Sequence, residues 1–274
     1  MGTGMIKNLK ALLFYAGAVA LCAPPLFVFV WMIMTGLKTG VQNISYPPEF
    51  IFIPTLENFR AVFQQYNFFL YLMNSLIIAT LATAISLILG LPAAYSIAKY
   101  RQNKIGLIVL VARMTPFVSY LLPWYIIFRY LKLIDTYTAL TVTHLIITMP
   151  MVIWLMVSFF ESIPAELEDA AMIDGCSRWQ SFIRIVLPLV RNGIATSAIM
   201  SFIFSWNQFL FSLILSGPKT KTVPVAVYNF ISYGKIDWAG IGAAATLIVL
   251  PVSIFAFFVR KSIVQGLTMG ALKD

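Results

Sequence analysis

Residues 161–188 read ESIPAELEDAAMIDGCSRWQSFIRIVLP. This stretch, called the acidic segment below, holds five of the chain's ten acidic residues, although only 11% of all residues are charged and 60% are hydrophobic. Long apolar runs flank it on both sides. A polar stretch between such runs is typical of a loop outside a membrane. We therefore expect the acidic segment to lie outside the membrane and to be recognised by a partner there.

The local pattern predicts two short helices joined by a tight turn. Pro164 suits the start of the first helix, where nearby carboxylates favour the positive end of the helix dipole. Gly175 is expected to end that helix. Ser177 and Gln180 form a capping-box pattern that starts the second helix, and Pro188 closes it.

Apolar residues within these helices follow helical spacing. Leu167, Ala170 and Ala171 lie at i, i+3 and i+4, which predicts one narrow contact face of mostly small residues. In the second helix the same reasoning predicts an apolar face of four residues, Trp179, Phe182, Ile183 and Val186.

The spacing of seven residues in this segment resembles the EAA loop of ATP-binding-cassette importer permeases. That pattern is E-A-A, three residues, G, nine residues and I-x-L-P, and every spacing is kept by Asp169-Ala170-Ala171, Gly175, Ile185, Leu187 and Pro188. The departure is Asp169 in place of Glu, which keeps the charge and shortens the side chain by one methylene. Glu168 can compensate for the lost reach.

The resemblance implies that the acidic segment docks onto a separate ATPase. It assigns polar docking to Asp169 and Glu168, close approach to Ala170 and Gly175, and a rigid link into the following span to Leu187 with Pro188. The full set of expected ATPase-coupling residues is Glu166, Glu168, Asp169, Ala170, Ala171, Gly175, Ile185, Leu187 and Pro188.

Length and composition set the fold class. A chain of 274 residues with a mean hydropathy of +0.88 and apolar runs of about twenty residues predicts an all-α polytopic membrane protein. We expect a single permease domain over 1–274, with the acidic segment between spans 4 and 5 and a tail at 260–274. The six predicted spans are 12–34, 72–98, 105–130, 137–160, 192–216 and 239–259.

The distribution of Lys and Arg predicts orientation. If the N-terminus is cytoplasmic, that side carries eleven basic residues and the other side seven, a bias that favours both termini inside. The first apolar run continues to Met34, so we expect a retained span rather than a cleaved signal. The expected location is the inner (plasma) membrane of a bacterial-type cell.

The connection from Thr35 to Tyr71 is rich in aromatic residues. Leu56, Phe59 and Phe63 can share one face of a short helix, which either lies in the membrane interface or faces a partner.

Three further stretches resemble the smaller, six-span permease of maltose-type carbohydrate importers: Leu133 to Tyr137 (LIDTY), Ser205 to Phe209 (SWNQF) and Gly266 to Lys273 (GLTMGALK). The resemblance implies a second homologous permease, an ATPase dimer and an extracytoplasmic solute-binding protein as partners, in addition to membrane lipid. It also implies that Gly266 to Asp274 reach towards the ATPase; a frayed terminus is the alternative.

The sequence lacks the residue patterns of nucleotide-binding, metal-binding and nucleic-acid-binding proteins. There is no G-x-x-x-x-G-K-[ST] loop, so ATP and Mg²⁺ are expected in the partner ATPase rather than as cofactors of this chain. The only histidine is His144, and no His, Cys and carboxylate cluster has metal-ligand spacing, so we expect no metal site. The net charge of +9 is spread over span ends, which argues against nucleic acid.

Polar residues inside the spans are candidates for the substrate pathway. Arg113 either snorkels to the cytoplasmic interface or lines the pathway. Ser205, Trp206, Asn207 and Gln208 could bond sugar hydroxyls and stack on sugar rings, or could serve helix packing. His144 is expected to be a satisfied interhelical residue, with a proton relay or a substrate contact as alternatives.

These observations predict a permease subunit of an ATP-driven importer of a carbohydrate or polyol, itself not an enzyme. An ion-coupled secondary transporter of a small polar solute is the alternative, but it should show paired intramembrane carboxylates or an inverted repeat. A membrane-embedded enzyme would need clustered catalytic groups at one depth.

Overall fold

The computed structural model describes the backbone of residues 2–65, 67–232 and 235–269. Most of these residues are helical, which confirms the all-α fold class. They are α1 (Gly2–Leu37), α2 (Gly40–Ile44), α3 (Glu57–Gln65), α4 (Phe68–Lys99), α5 (Asn103–Met114), α6 (Val118–Tyr130), α7 (Tyr137–Glu161), α8 (Ala165–Ile173), α9 (Arg178–Ser181), α10 (Leu187–Leu189), α11 (Arg191–Trp206), α12 (Leu210–Leu215), α13 (Val223–Ala226) and α14 (Trp238–Met269).

Four short elements complete the described chain. A π-helical turn, Phe182–Val186, lies between α9 and α10, and a 3-10 turn, Val227–Phe230, follows α13. Strand β1 (Ile231–Ser232) pairs antiparallel with β2 (Lys235–Ile236). Residues Gly270 to Asp274 of the predicted tail lie outside the described residues.

Three described helices are long and apolar enough to cross a membrane: Ala11–Leu37, Phe68–Lys99 and Tyr137–Glu161. Two helix pairs raise that number to five if each pair counts as one bent span, with bends of 89° (α5 and α6) and 79° (Arg178–Leu189 and α11). A further apolar stretch, Trp238–Ile254, is shorter. The chain is therefore a multi-pass membrane protein, and the count of six spans stays a prediction.

Two predicted spans are not continuous helices. The segment 105–130 breaks between α5 and α6, where Thr115 takes an extended conformation (ψ 130°) ahead of Pro116. Proline restricts the residue before it and cannot donate a backbone hydrogen bond, so the helix ends there. The segment 192–216 breaks between α11 and α12 at Asn207–Phe209. Both predicted spans are therefore interrupted, and whether each crosses the membrane as one bent span stays a prediction.

The described chain packs as two compact units, Met1–Asn67 with Val227–Val249 and Phe68–Ala226 with Leu250–Asp274. In the first unit, α1 meets the start of α14 at two glycines. A Cβ atom on Gly36 would lie 2.8 Å from the backbone nitrogen of Ala243, and one on Gly242 would lie 2.6 Å from the nitrogen of Gly36. The two backbones therefore touch directly, as small residues allow in membrane helix pairs.

The short helix expected near Phe59 is present as α3. Val62 turns inward and is buried, while Leu56 and Phe63 are exposed, which leaves these two members of the predicted face open to the membrane interface or to a partner. Asn58 explains this rotation: its amide donates to the carbonyl oxygens of Gly36 and Lys38, both at 2.8 Å, and so holds α3 against the end of α1.

The second unit is built on α4, α7 and α11. Helices α4 and α7 pack closely along their lengths, with Gly90 of α4 against the side chain of Val152. Gly193 of α11 lies against the ring of Phe159, where a Cβ atom would approach to 2.6 Å. The core beneath the acidic segment is one cluster of buried apolar residues: Ala94, Ile97, Val152, Ile153, Met156, Phe160, Phe182, Val186 and Val190.

At the far end of this unit, Asp135 fixes the loop between α12 and α13. Its carboxylate accepts hydrogen bonds from the backbone nitrogens of Gly217 (2.9 Å), Lys219 (3.2 Å) and Thr220 (2.9 Å), and from the Thr220 hydroxyl at 2.7 Å. Burial raises the pKa of Asp135, but these hydrogen bonds lower it by more, so the pKa lies below the usual range of the group. The LIDTY stretch therefore has a structural role in anchoring this loop.

Replacing Gly36 by Ala should destabilise the first unit by about 1 to 3 kcal/mol, because backbone atoms of Ala243 cannot move aside as a side chain could. Gly17 in the same helix has open space around it, so Gly17→Ala should be neutral or stabilising by up to about 1 kcal/mol. The thermal unfolding of each purified variant in detergent measures both effects. Equal unfolding temperatures for the two variants would contradict the close approach of α1 and α14.

Asp135→Asn should loosen the loop at neutral pH, since it removes a charge-assisted acceptor that contributes about 1 to 3 kcal/mol. We expect faster trypsin cleavage after Lys219, with Asp169→Asn as an exposed control that leaves the rate unchanged.

Because the folded pKa of Asp135 is lowered, its contribution to stability is complete above the unfolded pKa of about 3.9 and is lost as the pH falls through the folded pKa. Hydrogen exchange of residues 216–222 between pH 5 and pH 8 should therefore show no opening due to Asp135.

Candidate functional site

The first helix of the acidic segment ends as its sequence predicts. Gly175 has a φ of +86°, a conformation that glycine adopts without strain. Its nitrogen donates to the carbonyl of Met172 at 3.1 Å, and the nitrogen of Cys176 donates to the carbonyl of Ala171 at 3.0 Å. These two bonds are the Schellman motif, which satisfies carbonyls that the helix end would otherwise leave without partners.

The second helix begins with the predicted capping box. The Ser177 hydroxyl accepts from the backbone nitrogen of Gln180 at 3.3 Å, and the Gln180 side chain accepts from the nitrogen of Ser177 at 2.8 Å. The helix then widens into the π-helical turn Phe182–Val186, which the sequence pattern did not predict. Such turns are rare and often lie at functional sites.

Glu168 ties the acidic segment to the end of α4. Its carboxylate forms an ion pair with the ammonium of Lys99 and accepts a hydrogen bond from the hydroxyl of Tyr95. The Lys99 ammonium also donates to the Tyr95 hydroxyl at 2.9 Å. Glu168 as a whole residue is only 9% exposed. We call these three residues the Glu168 anchor.

Aromatic rings shield this anchor from water on its inner side. The ring of Tyr95 lies 4.8 Å from that of Phe182 and 5.7 Å from that of Phe160, measured between centroids. Fewer water molecules around the pair weaken solvent screening and strengthen the attraction between the charges. Removing one charge would leave the other poorly solvated, which makes the pair hard to break one side at a time.

The anchor sets the rotation of α8. The sequence pattern places Leu167, Ala170 and Ala171 on one contact face; in the structure Leu167 is 43% exposed and Ala170 is exposed as well, while Ala171 is buried with Glu168. Ala171 therefore lies on the inner side of the helix, and the part of the predicted face formed by Leu167 and Ala170 stays open to a partner.

A similar split divides the apolar residues of the second helix. Phe182 and Val186 are buried, whereas Trp179 is 60% and Ile183 is 45% exposed. The extra residue in the π-helical turn changes which positions share a face. The acidic segment therefore presents several exposed apolar side chains: Leu167, Ile173, Trp179 and Ile183.

The remaining expected coupling residues divide into exposed and packed groups. Ile185 and Leu187 are half-buried, and Pro188 follows the π-helical turn at the surface. The exposed coupling residues of the first helix and its end are Glu166, Asp169, Ala170 and Gly175. Together with their exposed neighbour Leu167 they are called the outward face below.

A cleft of about 520 Å³ opens beside the anchor, between the end of α4, the start of α5 and the first turn of α8. Charged side chains of both signs line it, among them Arg101, Glu161 and Asp169 in addition to Lys99 and Glu168. Arg178 reaches across from α9 and donates to the hydroxyl of Tyr100 at 2.6 Å. The charges of the acidic segment are therefore paired partly within this chain and partly left at its surface.

The candidate pathway residues do not share one environment. Ser205, Trp206 and Gln208 are buried, and the Gln208 side chain accepts from the nitrogen of Leu210 at 3.0 Å, which caps α12. Asn207 is exposed at the break between α11 and α12. Asn207 is therefore the one exposed member of this group.

Arg113 lies at the end of α5 with its guanidinium 4.9 Å from the ring centre of Trp154 on α7. This cation–π contact gives the charge a partner within the chain. Both alternatives for Arg113 remain predictions.

His144 is 1% exposed and has a hydrogen-bonding partner, as expected for an interhelical polar residue: its Nδ1 atom lies 2.7 Å from the Ser205 hydroxyl. Among the described residues, no group of three or more His, Cys, Asp or Glu side chains could hold a metal ion.

Tyr95 and Lys99 were missed by the sequence reasoning. The available signal is weak: a tyrosine and a lysine four residues apart at the end of an apolar run, where a membrane-anchoring role is the ordinary interpretation. Their partner Glu168 lies 69 residues beyond Lys99 and 73 residues beyond Tyr95, so no local pattern reveals the anchor.

Breaking the anchor should destabilise the packing of α8. Lys99→Met and Glu168→Gln should each cost about 1.5 to 3 kcal/mol, the usual contribution of a hydrogen bond to a charged group. The double variant should cost less than the sum of the two, because each single change leaves an uncompensated partner. Unfolding of the purified chain in detergent measures the cycle. Glu166→Gln on the exposed side of α8 is the control and should change stability by less than about 0.5 kcal/mol; additive costs would refute the anchor.

Comparison with known proteins adds the family. Residues 86–269 match the family described as "Binding-protein-dependent transport system inner membrane component". The chain is 40% identical over 250 residues to the probable ABC transporter permease protein y4oR of Sinorhizobium fredii, covering 90% of each chain. It is 34% identical to the trehalose/maltose transport system permease protein MalG of Thermococcus litoralis, covering 97% of this chain and 98% of that one.

The fold also matches a solved structure, that of a bacterial ABC transporter involved in the import of the acidic polysaccharide alginate. The TM-score is 0.75 over 94% of this chain and 96% of that chain, at 21% sequence identity. These matches agree with the sequence pattern of the acidic segment and with the apolar helices around it, which both indicate a transporter permease. The chain therefore belongs to the family of binding-protein-dependent transport system inner membrane components, as a membrane-spanning permease subunit of an ATP-binding-cassette transporter.

Proposed function

We propose that this chain forms part of the path of a carbohydrate or polyol through an ATP-driven importer, and that the acidic segment couples it to the ATPase. The observation that carries the coupling proposal is the division of α8 into two sides. Its inner side is bound to α4 through the Glu168 anchor. Its outward face is exposed and combines carboxylates with apolar and small residues, which suits a partner surface.

The proposed mechanism follows from that division. Closure of the ATPase dimer on ATP displaces the outward face, and the anchor passes the displacement to the end of α4. Because α4 packs closely along α7, the two helices move together rather than bend separately. Such a loop couples two sites only if the ATPase contacts it differently in its two states.

Within this mechanism the residues of the acidic segment have different roles. Asp169 and Glu166 provide the polar contacts with the ATPase, and Ala170 permits close approach. Gly175 supplies the left-handed turn that ends α8 and so fixes how these residues are presented. Glu168 serves as the internal link in place of the docking role that the resemblance assigned to it. Ile185, Leu187 and Pro188 continue the chain into α11 as a stiff connection.

The substrate class rests on the relative that is named for trehalose and maltose. Asn207 is the residue we propose to contact the solute, since an amide both donates to and accepts from sugar hydroxyls. Ser205, Trp206 and Gln208 support the break behind it, and Arg113 is assigned to the wall of the pathway. No observation favours an ion-coupled transporter.

The proposed assembly contains a second homologous permease, an ATPase dimer that binds ATP and Mg²⁺, and an extracytoplasmic solute-binding protein. The apolar 18-residue stretch of α1 within Ala11–Leu37 has no residue buried by the rest of this chain. Such a stretch suits contact with lipid or with the second permease. Both termini and the acidic segment are assigned to the cytoplasm, and the tail 260–274 is assigned to the side of the ATPase.

The test compares two substitutions at Gly175 in the complete transporter reconstituted in nanodiscs. A Cβ atom there meets no other atom of this chain within 4 Å, so within the chain a substitution acts through backbone conformation rather than through a clash, and Gly175→Asn controls for the added side chain. Gly175→Val should distort the turn, because the left-handed conformation costs a side chain about 1 to 2 kcal/mol, whereas Gly175→Asn should tolerate it. ATP hydrolysis stimulated by the binding protein, loaded from a panel of maltose, trehalose and sorbitol, is the measurement.

We expect the valine variant to lose most of the stimulation while the subunits still assemble, and the asparagine variant to keep it. Normal stimulation in the valine variant would remove the acidic segment from the coupling mechanism. If no member of the panel stimulates the wild-type transporter, the carbohydrate assignment fails, whatever the variants do.

A further inference from the structure

The break between α11 and α12 interrupts the helix inside the predicted fifth span. Helix α11 has 16 residues, so the break lies about 24 Å from Arg191 along the helix axis. The apolar core of a bilayer is about 30 Å thick. Non-helical backbone at that depth is stable only where protein covers it or where it borders water. The break therefore needs support from a neighbouring helix on its inner side.

His144 of α7 provides that support from both sides of the break. Its Nδ1 atom lies 2.7 Å from the hydroxyl of Ser205, the second-last residue of α11. Its Nε2 atom lies 3.5 Å from the hydroxyl of Ser212 in α12, a long and weak hydrogen bond. One buried ring thus contacts both half-helices, and packing alone would not require a polar partner on each.

Local hydrogen bonds also form at the break. The Asn207 amide donates to the carbonyl of Ile203 at 2.9 Å. The backbone nitrogen of Gln208 donates to the carbonyl of Ser205 at 3.2 Å, and the Gln208 side chain accepts from the nitrogen of Leu210 at 3.0 Å. These bonds end α11 and begin α12, and His144 adds a contact to each half-helix from a third helix, α7.

We propose that His144 is a positioning residue that holds α11 and α12 in one relative geometry, so that Asn207 and the non-helical backbone beside it face an aqueous path for a hydroxyl-rich solute. The second half of this statement rests on the proposed function. The first half does not, because it concerns only the two half-helices. His144 itself is buried and acts through the break rather than on the solute.

We call the contacts of His144 with Ser205 and Ser212 the clamp. It is tested with spin labels on the two half-helices. Phe204→Cys and Leu213→Cys place labels at exposed positions on either side of the break, in a chain whose Cys22 and Cys176 are replaced by Ser. The full chain is measured in the assembled transporter in nanodiscs. His144→Phe keeps an aromatic ring and removes both polar contacts. The population outside the wild-type distance should then rise roughly tenfold, as expected when a buried hydrogen bond is lost.

Three further variants separate positioning from a general loss of stability. His144→Asn can keep the contact with Ser205 and should restore the narrow distance distribution. Ser212→Ala removes only the weaker contact and should widen the distribution less than His144→Phe does. Thr143→Val is the matched control. Thr143 precedes His144 and its hydroxyl donates to backbone carbonyls within α7, so its loss should leave the distances unchanged. Unchanged distances in both His144→Phe and Ser212→Ala would overturn the clamp.

Access of water to the break is tested separately with Asn207→Cys and a charged, water-soluble methanethiosulfonate reagent. We expect rapid modification in the nanodisc-embedded transporter and a rate that His144→Phe changes severalfold. Failure of the cysteine to react would overturn the placement of the break on an aqueous path. Neither readout depends on ATP hydrolysis, so a failure here is distinct from a failure of the coupling proposal.

Discussion

The ion pair between Lys99 and Glu168 decides how the acidic segment is presented. A charge at the boundary of an apolar bundle is stable there only with a partner, and Tyr95 adds a hydroxyl to both members of the pair. With Glu168 turned inward, helical geometry turns the neighbouring Asp169 outward. The inner contact and the outer surface of α8 are therefore two consequences of one interaction.

Local features of the acidic segment could be predicted because their causes are local. Gly175 ends α8 since it can adopt a positive φ, and Ser177 starts α9 since its hydroxyl reaches a free backbone nitrogen. The rotation of α8 could not be predicted, because Lys99 lies 69 residues away and nothing near Glu168 marks it as the inward residue. Apolar periodicity is a poor guide where one buried charge outweighs several small side chains.

Hydropathy has the same limit in the spans. It identifies apolar segments and carries no information on whether each is one straight helix. Pro92 and Pro150 lie inside the continuous helices α4 and α7, whereas Pro116 separates α5 from α6. Proline removes one hydrogen bond in each case, and the packing around it decides whether the helix continues. The break at Asn207 contains no proline at all, and a buried partner in another helix, His144, contacts both of its sides.

The placement of rigid and interrupted helices bears on how movement can pass through this chain. Where α4, α7 and α11 meet, glycines bring backbone against side chain, as Gly90 does with Val152 and Gly193 with Phe159, which leaves little room for one helix to bend alone. A displacement entering through Glu168 must then move these helices as a body. The break between α11 and α12 is a point where a change of angle requires no new distortion of a helix, because the helical hydrogen bonds are already interrupted there. In the proposed mechanism, coupling and solute contact are therefore separated along the same bundle: a bonded anchor at one end, and a clamped break towards the other.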